Sequence, residues 1–449
     1  MANDRHSLAV ALTTLGCKLN QAETEELTRR FLKAGFRVVD YDGIVDVYVI
    51  NTCTVTHVAD RKSRQLIRHA RRANPSALVV ATGCYVDVAP NEVVQVDQID
   101  LVVANDDKPR IAELVNEALG NMTDARIPET ELHIDPALRT RAFVKIEEGC
   151  NKFCTFCIVP VARGRERSVP IEEVVSSVAR RVDAGHREIV LTGVHVGTYG
   201  KDLKGEPEID LTDLVRALLE RTGVERLRLS SIEPMDFHPG LLAIWENDRV
   251  CRHIHLPLQS GSDSVLRRMR RRYDPTSFVR TIERIRAAIP DVAITTDVIV
   301  GFPGETDAEF QETYDLAREV GFAGIHVFKY SPRRGTVAAK MPEQVPYQVK
   351  KTRSDAMMRL ASQGAASFRR RHLGETLDVL FETQATTPHG HLWEGLTDNY
   401  VRVFAACEDD LTNQVCQTEI LGEIDGSLLG RVLQKSDLSD QEKDDSQSS

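Results

Sequence analysis

No stretch of this 449-residue chain approaches the roughly 20 consecutive apolar residues that a membrane-spanning helix needs, which argues against a membrane partner. The first ten residues, Met1–Val10, show neither the charged start nor the long apolar centre of a secretory signal, so the expectation is a cytoplasmic protein. Basic excess is missing as well: 57 Lys and Arg stand against 67 Asp and Glu, a net charge of −10, which disfavours a uniformly nucleic-acid-binding surface. No solenoid-length repeat recurs. No second Cys-x-x-Cys pair accompanies the one at Cys154 and Cys157, so a closed zinc site of two knuckles lacks its second half. Disulfides are rare in the cytosol, which leaves the nine cysteines as ligands or as buried apolar residues.

What is present is the run Glu147-Glu148-Gly149-Cys150-Asn151-Lys152-Phe153-Cys154-Thr155-Phe156-Cys157. Three soft thiolates within eight residues suit an iron–sulfur cluster. A cubane cluster has four irons, so three cysteines leave one iron open to S-adenosylmethionine (SAM), and the spacing points to radical chemistry. Structural zinc stays open as the minor alternative. Phe153 and Phe156 read equally well as core residues or as aromatic shields beside the cluster or the adenine.

The chain divides by texture. Residues 5–120 alternate short β-branched strands (Leu8–Leu12, Val45–Ile50, Ala77–Ala81, Ile99–Val103) with amphipathic helices, the pattern of an open α/β sheet. A linker is expected over Met122–Pro136. Residues 136–371 repeat the alternation six times, which predicts a partial (β/α)6 barrel with its chemistry at the strand carboxyl ends, followed by a helical connector. Residues 372–435 switch to short alternating strands, the signature of a small antiparallel β-barrel. The acidic, serine-rich tail 436–449 is expected to be disordered. The fold class is therefore α/β with a small β-barrel appended.

Cys17, Cys53 and Cys84 each sit just past a predicted parallel strand of the first unit, where strand ends share one edge. Singly each is a buried small hydrophobe; together they predict a second three-cysteine site. Cys251, Cys407 and Cys416 show no such pattern. In the barrel, Gly193 and Val194, Glu233, and Gln259 follow the second, third and fourth strands and make candidate cofactor contacts with Phe156. A polar run after the fifth strand, Thr296–Thr306, continues that rim. Three basic runs, Arg61–Arg72, Arg267–Arg272 and Arg369–Arg371, stand out in an acidic chain as candidate phosphate contacts or solvated helix faces.

These blocks, with Gly16-Cys17-Lys18-Leu19-Asn20-Gln21, Asn51-Thr52-Cys53-Thr54-Val55-Thr56, Arg163-Gly164-Arg165, Pro257–Gly261 and Gly301–Thr306, resemble the radical-SAM methylthiotransferase family over residues 7 to about 434. The resemblance implies an N-terminal methylthiotransferase domain, a radical-SAM barrel and an RNA-binding TRAM barrel. It implies that Cys150, Cys154 and Cys157 hold a SAM-cleaving [4Fe–4S] cluster and that Cys17, Cys53 and Cys84 hold an auxiliary one that presents sulfur. It adds Arg163 to the cofactor contacts. The residues around Cys17 and Cys53 are similar to the branch acting on N6-threonylcarbamoyladenosine at position 37 of tRNA, which implies the anticodon stem-loop of ANN-decoding tRNAs as partner and a flavodoxin or ferredoxin as electron donor. Isopentenyladenosine-37, a ribosomal-protein aspartate, and a non-catalytic iron–sulfur RNA-binding protein remain the alternatives. Lys329 and Arg334 depart from the family's usual proline at those positions.

Overall fold

The computed structural model describes residues 8–94, 98–120, 140–203 and 208–433. In the first unit, strands β1 (Ala9–Thr14), β2 (Arg37–Val39), β3 (Val47–Thr52), β4 (Leu78–Gly83) and β5 (Leu101–Val103) form one parallel sheet in the order β2-β1-β3-β4-β5. Every residue of β3 is buried, as a central strand covered on both faces requires. Tyr48 and Ile50 pack on Ile67 and Ala70 of the helix His57–Ala73, and Val47 and Val49 pack on Leu27 and Phe31 of the helix Lys18–Lys33. Thr56 caps the helix His57–Ala73, accepting from Ala59 N at 3.1 Å, and Asn74 ends it just before Pro75. The edge strand β2, only three residues long, has no counterpart in the sequence reading.

The second unit holds β6 (Arg141–Lys145), β7 (Glu147–Glu148), β8 (Arg167–Ser168), β9 (Glu188–Thr192), β10 (Arg226–Leu229), β11 (His253–His255), β12 (Ala293–Val300) and β13 (Gly324–Lys329). β7 and β8 make a short antiparallel ribbon. The rest form two parallel half-sheets, β6-β9-β10 and β11-β12-β13, joined by bridges Leu227↔Val250 and Ser231↔His255 into the six-stranded partial barrel. Strand alternation divides its residues. Ala142, Val144, Ile189, Leu191, Leu227 and Leu229 join the main apolar core outside the barrel. Phe143 and Val190 turn inward, and Ala22 of the helix Lys18–Lys33 packs on them. The N-terminal unit thus supplies part of the barrel's inner wall.

The helix Tyr347–Arg370 leads to strands β14 (Thr376–Thr387), β15 (Gly390–Thr397), β16 (Arg402–Ala405), β17 (Gln414–Ile424) and β18 (Ser427–Val432). They close a barrel in the order β14-β15-β16-β18-β17. One difference from the expected antiparallel barrel is that β16 and β18 pair in parallel. Arg141 to Glu382 (2.8 Å) and Arg252 to Asp398 (2.6 Å) tie this barrel to the larger one. The expected linker and acidic tail lie outside the described residues. Among the described residues no helix is long and apolar enough to cross a membrane.

Candidate functional site

Cys17, Cys53 and Cys84 follow β1, β3 and β4, which are adjacent in the sheet, so their three loops share one edge. Gly16 has φ +111°, and a Cβ there would lie 2.9 Å from Cys53 Sγ; only glycine allows the Cys17 turn this close to Cys53. Asn20 holds the turn, its Nδ2 donating to Leu15 O (2.7 Å) and Thr52 O (3.1 Å). Burial pushes the Cys53 thiol up to about 12 and raises that of Cys84, while Arg163 and Lys108 oppose the rise at Cys84. Three free thiols facing two buried cations fit a soft-metal cluster, because the cations compensate the charge that the thiolates bring.

Cys150, Cys154 and Cys157 lie on the loop after β7. Gly149, at φ +80°, brings the chain against the Arg165 carbonyl, and Cys150 N donates to Gly164 O at 3.1 Å. Two donors reach the sulfurs: Lys152 N to Cys150 Sγ and Arg271 Nη1 to Cys154 Sγ, each at 3.4 Å. Burial pushes the Cys150 thiol up to about 11 and the Cys157 thiol up to about 12, so a metal entering here displaces protons. This donor set also fits a soft cluster. Phe153 is 72% exposed and has no core role, whereas Phe156 packs against the Met269 and Ile299 group.

The two cysteine loops meet at one cavity of about 220 Å³. Phe156 and Cys157 border it from one side, Val55 and Thr56, two and three residues past Cys53, from another, and Gln259 and Lys329 from the barrel. Gln259 holds φ +62° with its N–H on Asp297 O at 2.8 Å, a conformation that non-glycine residues adopt at a cost. The other expected cofactor contacts lie elsewhere. Glu233 is held between Lys152 (3.1 Å) and Arg271 (2.8 Å), the same arginine that reaches Cys154. Gly193 and Val194 pack over Glu147: a Cβ at 193 would sit 2.5 Å from Glu147 Oε1. Arg163 faces the first triad instead, bonded to Glu23 Oε1 (2.7 Å), Asn20 Oδ1 (2.6 Å) and Glu148 Oε1 (2.9 Å).

Beside the cavity the barrel's inner face is polar. His255 Nε2 and His326 Nδ1 address the same oxygen of Asp297, at 3.2 and 3.3 Å, from three neighbouring strands. Burial works against the Asp297 carboxylate, but the two rings hold its pKa well below the usual range. The three groups are close enough to share one ion. His255 and Asp297 fall within the polar rims visible in the sequence; His326 carries no motif that could have flagged it.

The basic runs divide. Arg61, Lys62, Arg68 and Arg72 lie on the exposed face of their helix. In the second run Arg268 pairs with Glu309 and Arg271 turns inward to Cys154, so these two are not free for phosphate, while Arg267, Arg270 and Arg272 are exposed. Arg369 and Arg370 pair with Glu423. The sequence reading missed Arg333 altogether: buried, it binds Thr54 Oγ1 (2.7 Å) and Asp60 (2.8 Å) and fixes the Cys53 loop to the end of the barrel. Of the two departures from the family pattern, Lys329 borders the cavity, its ammonium 5.3 Å from the Tyr347 ring centroid, and Arg334 is exposed.

Residues 144–317 match the Radical SAM superfamily, and residues 9–104 match a family described as Uncharacterized protein family UPF0004. The threonylcarbamoyladenosine tRNA methylthiotransferase MtaB of Bacillus subtilis is 41% identical over 92% of this chain and 93% of its own length. Its namesake in Aquifex aeolicus is 37% identical over 88% and 96%. The tRNA-2-methylthio-N(6)-dimethylallyladenosine synthase of Clostridium tetani is 32% identical over 93% and 95%. Among solved structures, the radical S-adenosylmethionine methyltransferase TsrM of Kitasatospora setae covers 74% of this chain and 77% of its own, at TM-score 0.55 and 15% identity, a likeness of fold alone.

Proposed function

The chain belongs to the radical-SAM methylthiotransferase family, and from that premise we propose that it converts N6-threonylcarbamoyladenosine at position 37 of tRNA to the 2-methylthio derivative, using two [4Fe–4S] clusters. It is a tRNA-modifying enzyme that uses SAM and a [4Fe–4S] cluster. The reading of both triads as ligands of one reaction rests on a single observation: the loops carrying Cys53 and Cys157 border the same cavity. The threonylcarbamoyl substrate is supported by the higher identity of the relatives named for it.

Cys150, Cys154 and Cys157 would hold the cluster that reduces and cleaves SAM, and Cys17, Cys53 and Cys84 the cluster that presents the sulfur. The remaining work belongs to this chain's own residues. Arg271 and Arg163 each set a guanidinium beside one triad and so compensate its charge. Phe156 and Gln259 bound the space for an adenosyl group next to Cys157. Arg333 and Arg163 hold the two loops face to face, which keeps the cavity narrow and limits water. Arg61, Lys62, Arg68 and Arg72 meet RNA phosphates without reading sequence, and the target base enters from the single-stranded anticodon loop, where bases can be splayed out. A flavodoxin or ferredoxin supplies the electron.

Chromatography of nucleosides from cells lacking the gene tests the substrate: the methylthio-threonylcarbamoyl nucleoside should vanish, and its persistence in a strain without a second such enzyme sinks the reading. Iron and sulfide per chain should fall by about half in Cys53→Ser if two four-iron clusters are held. Cys154→Ala should release no 5′-deoxyadenosine from SAM.

A further inference from the structure

Lys18 follows Cys17 directly and begins the helix that lies against the barrel's inner wall. Its half-buried ammonium stands 5.4 Å from the centroid of the Tyr400 ring, which the small C-terminal barrel inserts from the far end. The same ring receives Arg228 (4.8 Å) and Arg141 (5.7 Å) and stacks on His253 (4.6 Å). The arginines have counter-ions: Arg228 and Arg226 share Glu188 (2.7 and 3.1 Å), and Arg141 has Glu382 (2.8 Å). Lys18 has none. Among the described residues its ammonium meets the Tyr400 ring and no carboxylate or hydrogen-bond acceptor.

A desolvated charge without a partner weighs against folding. The site carries positive charge in excess of its carboxylates, lies within one residue of the first cysteine triad, and continues into a polar wall. There His253 and His255 share the Thr295 hydroxyl, at 3.0 Å each. Such a site suits an anion brought in with the substrate. The substrate assigned above bears an amino acid on its base, with a free carboxylate; an isopentenyl group would leave the ammonium unpaired.

We propose that Lys18 binds the carboxylate of the amino-acid substituent on the target adenine and is thereby a specificity-determining residue. This rests on the substrate reading given above. A hydrogen-bonded ion pair of this kind sets discrimination on the order of 10- to 100-fold, and a site built for it rejects an analogue that lacks the charge.

The test uses the full-length reconstituted enzyme and anticodon stem-loops carrying either N6-threonylcarbamoyladenosine or its methyl ester. With the wild type, KM for the ester should exceed that for the acid by on the order of 10- to 100-fold, while kcat changes little. Lys18→Gln should raise KM for the acid to that of the ester, and Lys18→Arg should restore part of the preference. Iron content per chain is measured on each variant, and the wild-type comparison of acid with ester needs no variant at all. If Lys18 met a backbone phosphate instead, Lys18→Gln would weaken both RNAs equally, which overturns the assignment. An active wild type that uses acid and ester alike overturns it too, and alone. A wild type inactive on both RNAs overturns the substrate reading and this assignment together.

Discussion

Arg163 Nη1 lies 2.7 Å from Glu23 Oε1, with the two side chains only 2% and 4% exposed. The pair joins residues 140 apart in sequence, one on the helix that follows Cys17 and the other just past Cys157. Lys108 adds a second cation to the same carboxylate. Among the described residues the fold thus places its least exposed inter-unit ion cluster between the two cysteine triads, where a small shift would misalign them.

Removing one partner of a buried pair strands the other charge, at a cost of about 3–5 kcal/mol. Glu23→Ala should therefore lower unfolding stability by that order in urea titrations. Burial alone would raise the Glu23 pKa, but Lys108, Arg163 and Lys145 hold it far below the ordinary carboxylate range. A depressed acid contributes its full stability above the unfolded value, near 4.3, and loses it only as pH falls toward the folded value. The gap between the wild type and Glu23→Gln should accordingly be constant from about pH 5.5 to 8 and shrink only in stronger acid.

Glu147 carries the opposite signature. Burial pushes its carboxyl up to about 8, despite the backbone N–H groups of His195 and Val194 that favour the charged form. Its Oε1 accepts from His195 N, and its Oε2 has no hydrogen-bond partner among the described residues. A raised acid contributes stability that is complete below the unfolded value near 4.3 and is lost as pH rises through about 8. Glu147→Gln cannot ionise. Between pH 5 and 8 its stability should fall less steeply than the wild type's, by about 1.4 kcal/mol per unit at most; identical slopes in urea titrations would remove this account of the residue.

Arg271 donates to Cys154 Sγ at 3.4 Å and to Glu233 Oε1 at 2.8 Å, with its side chain 4% exposed. A cation fixed beside a cluster sulfur favours the more reduced, more negative cluster. Arg271→Ala should lower the reduction potential of that cluster in a spectroscopic titration and slow 5′-deoxyadenosine release by at least about 10-fold, an effect of at least about 1.4 kcal/mol. Arg271→Lys should recover part of the potential, since the charge stays while the forked geometry is lost.

The cysteine loops were legible because two local signals coincide: short β-branched runs that mark parallel strands, and a cysteine just past each of them. The shared edge of Cys17, Cys53 and Cys84 followed from that alternation; the strand order, with β2 paired outside β1, did not. What joins the loops was not legible. Arg163 to Glu23 and Arg333 to Asp60 link residues 140 and more positions apart, and no local pattern marks an arginine for such a partner. Arg271 was hidden more deeply, within a basic run whose neighbours Arg267, Arg270 and Arg272 are exposed. Helix turns alone do not reveal which arginine of such a run points inward.

Two glycines should separate the sites experimentally. Gly149 (φ +80°) precedes Cys150, and a Cβ there would run into the Arg165 carbonyl; Gly83 (φ +98°) precedes Cys84, and a Cβ there would run into the Thr52 carbonyl of the neighbouring strand. In both, the obstacle is backbone, so relief requires moving the loop that carries the cysteine, and the left-handed φ adds strain of about 1–3 kcal/mol. Gly149→Ala should therefore lose the SAM-cleaving activity with roughly half the iron retained at the first triad. Gly83→Ala should keep 5′-deoxyadenosine release while losing a similar share of iron and all methylthio transfer. If either variant lost both activities together with all iron, the two sites would be coupled through folding and not built as separate loops, and the reading of two independent cysteine triads would fail.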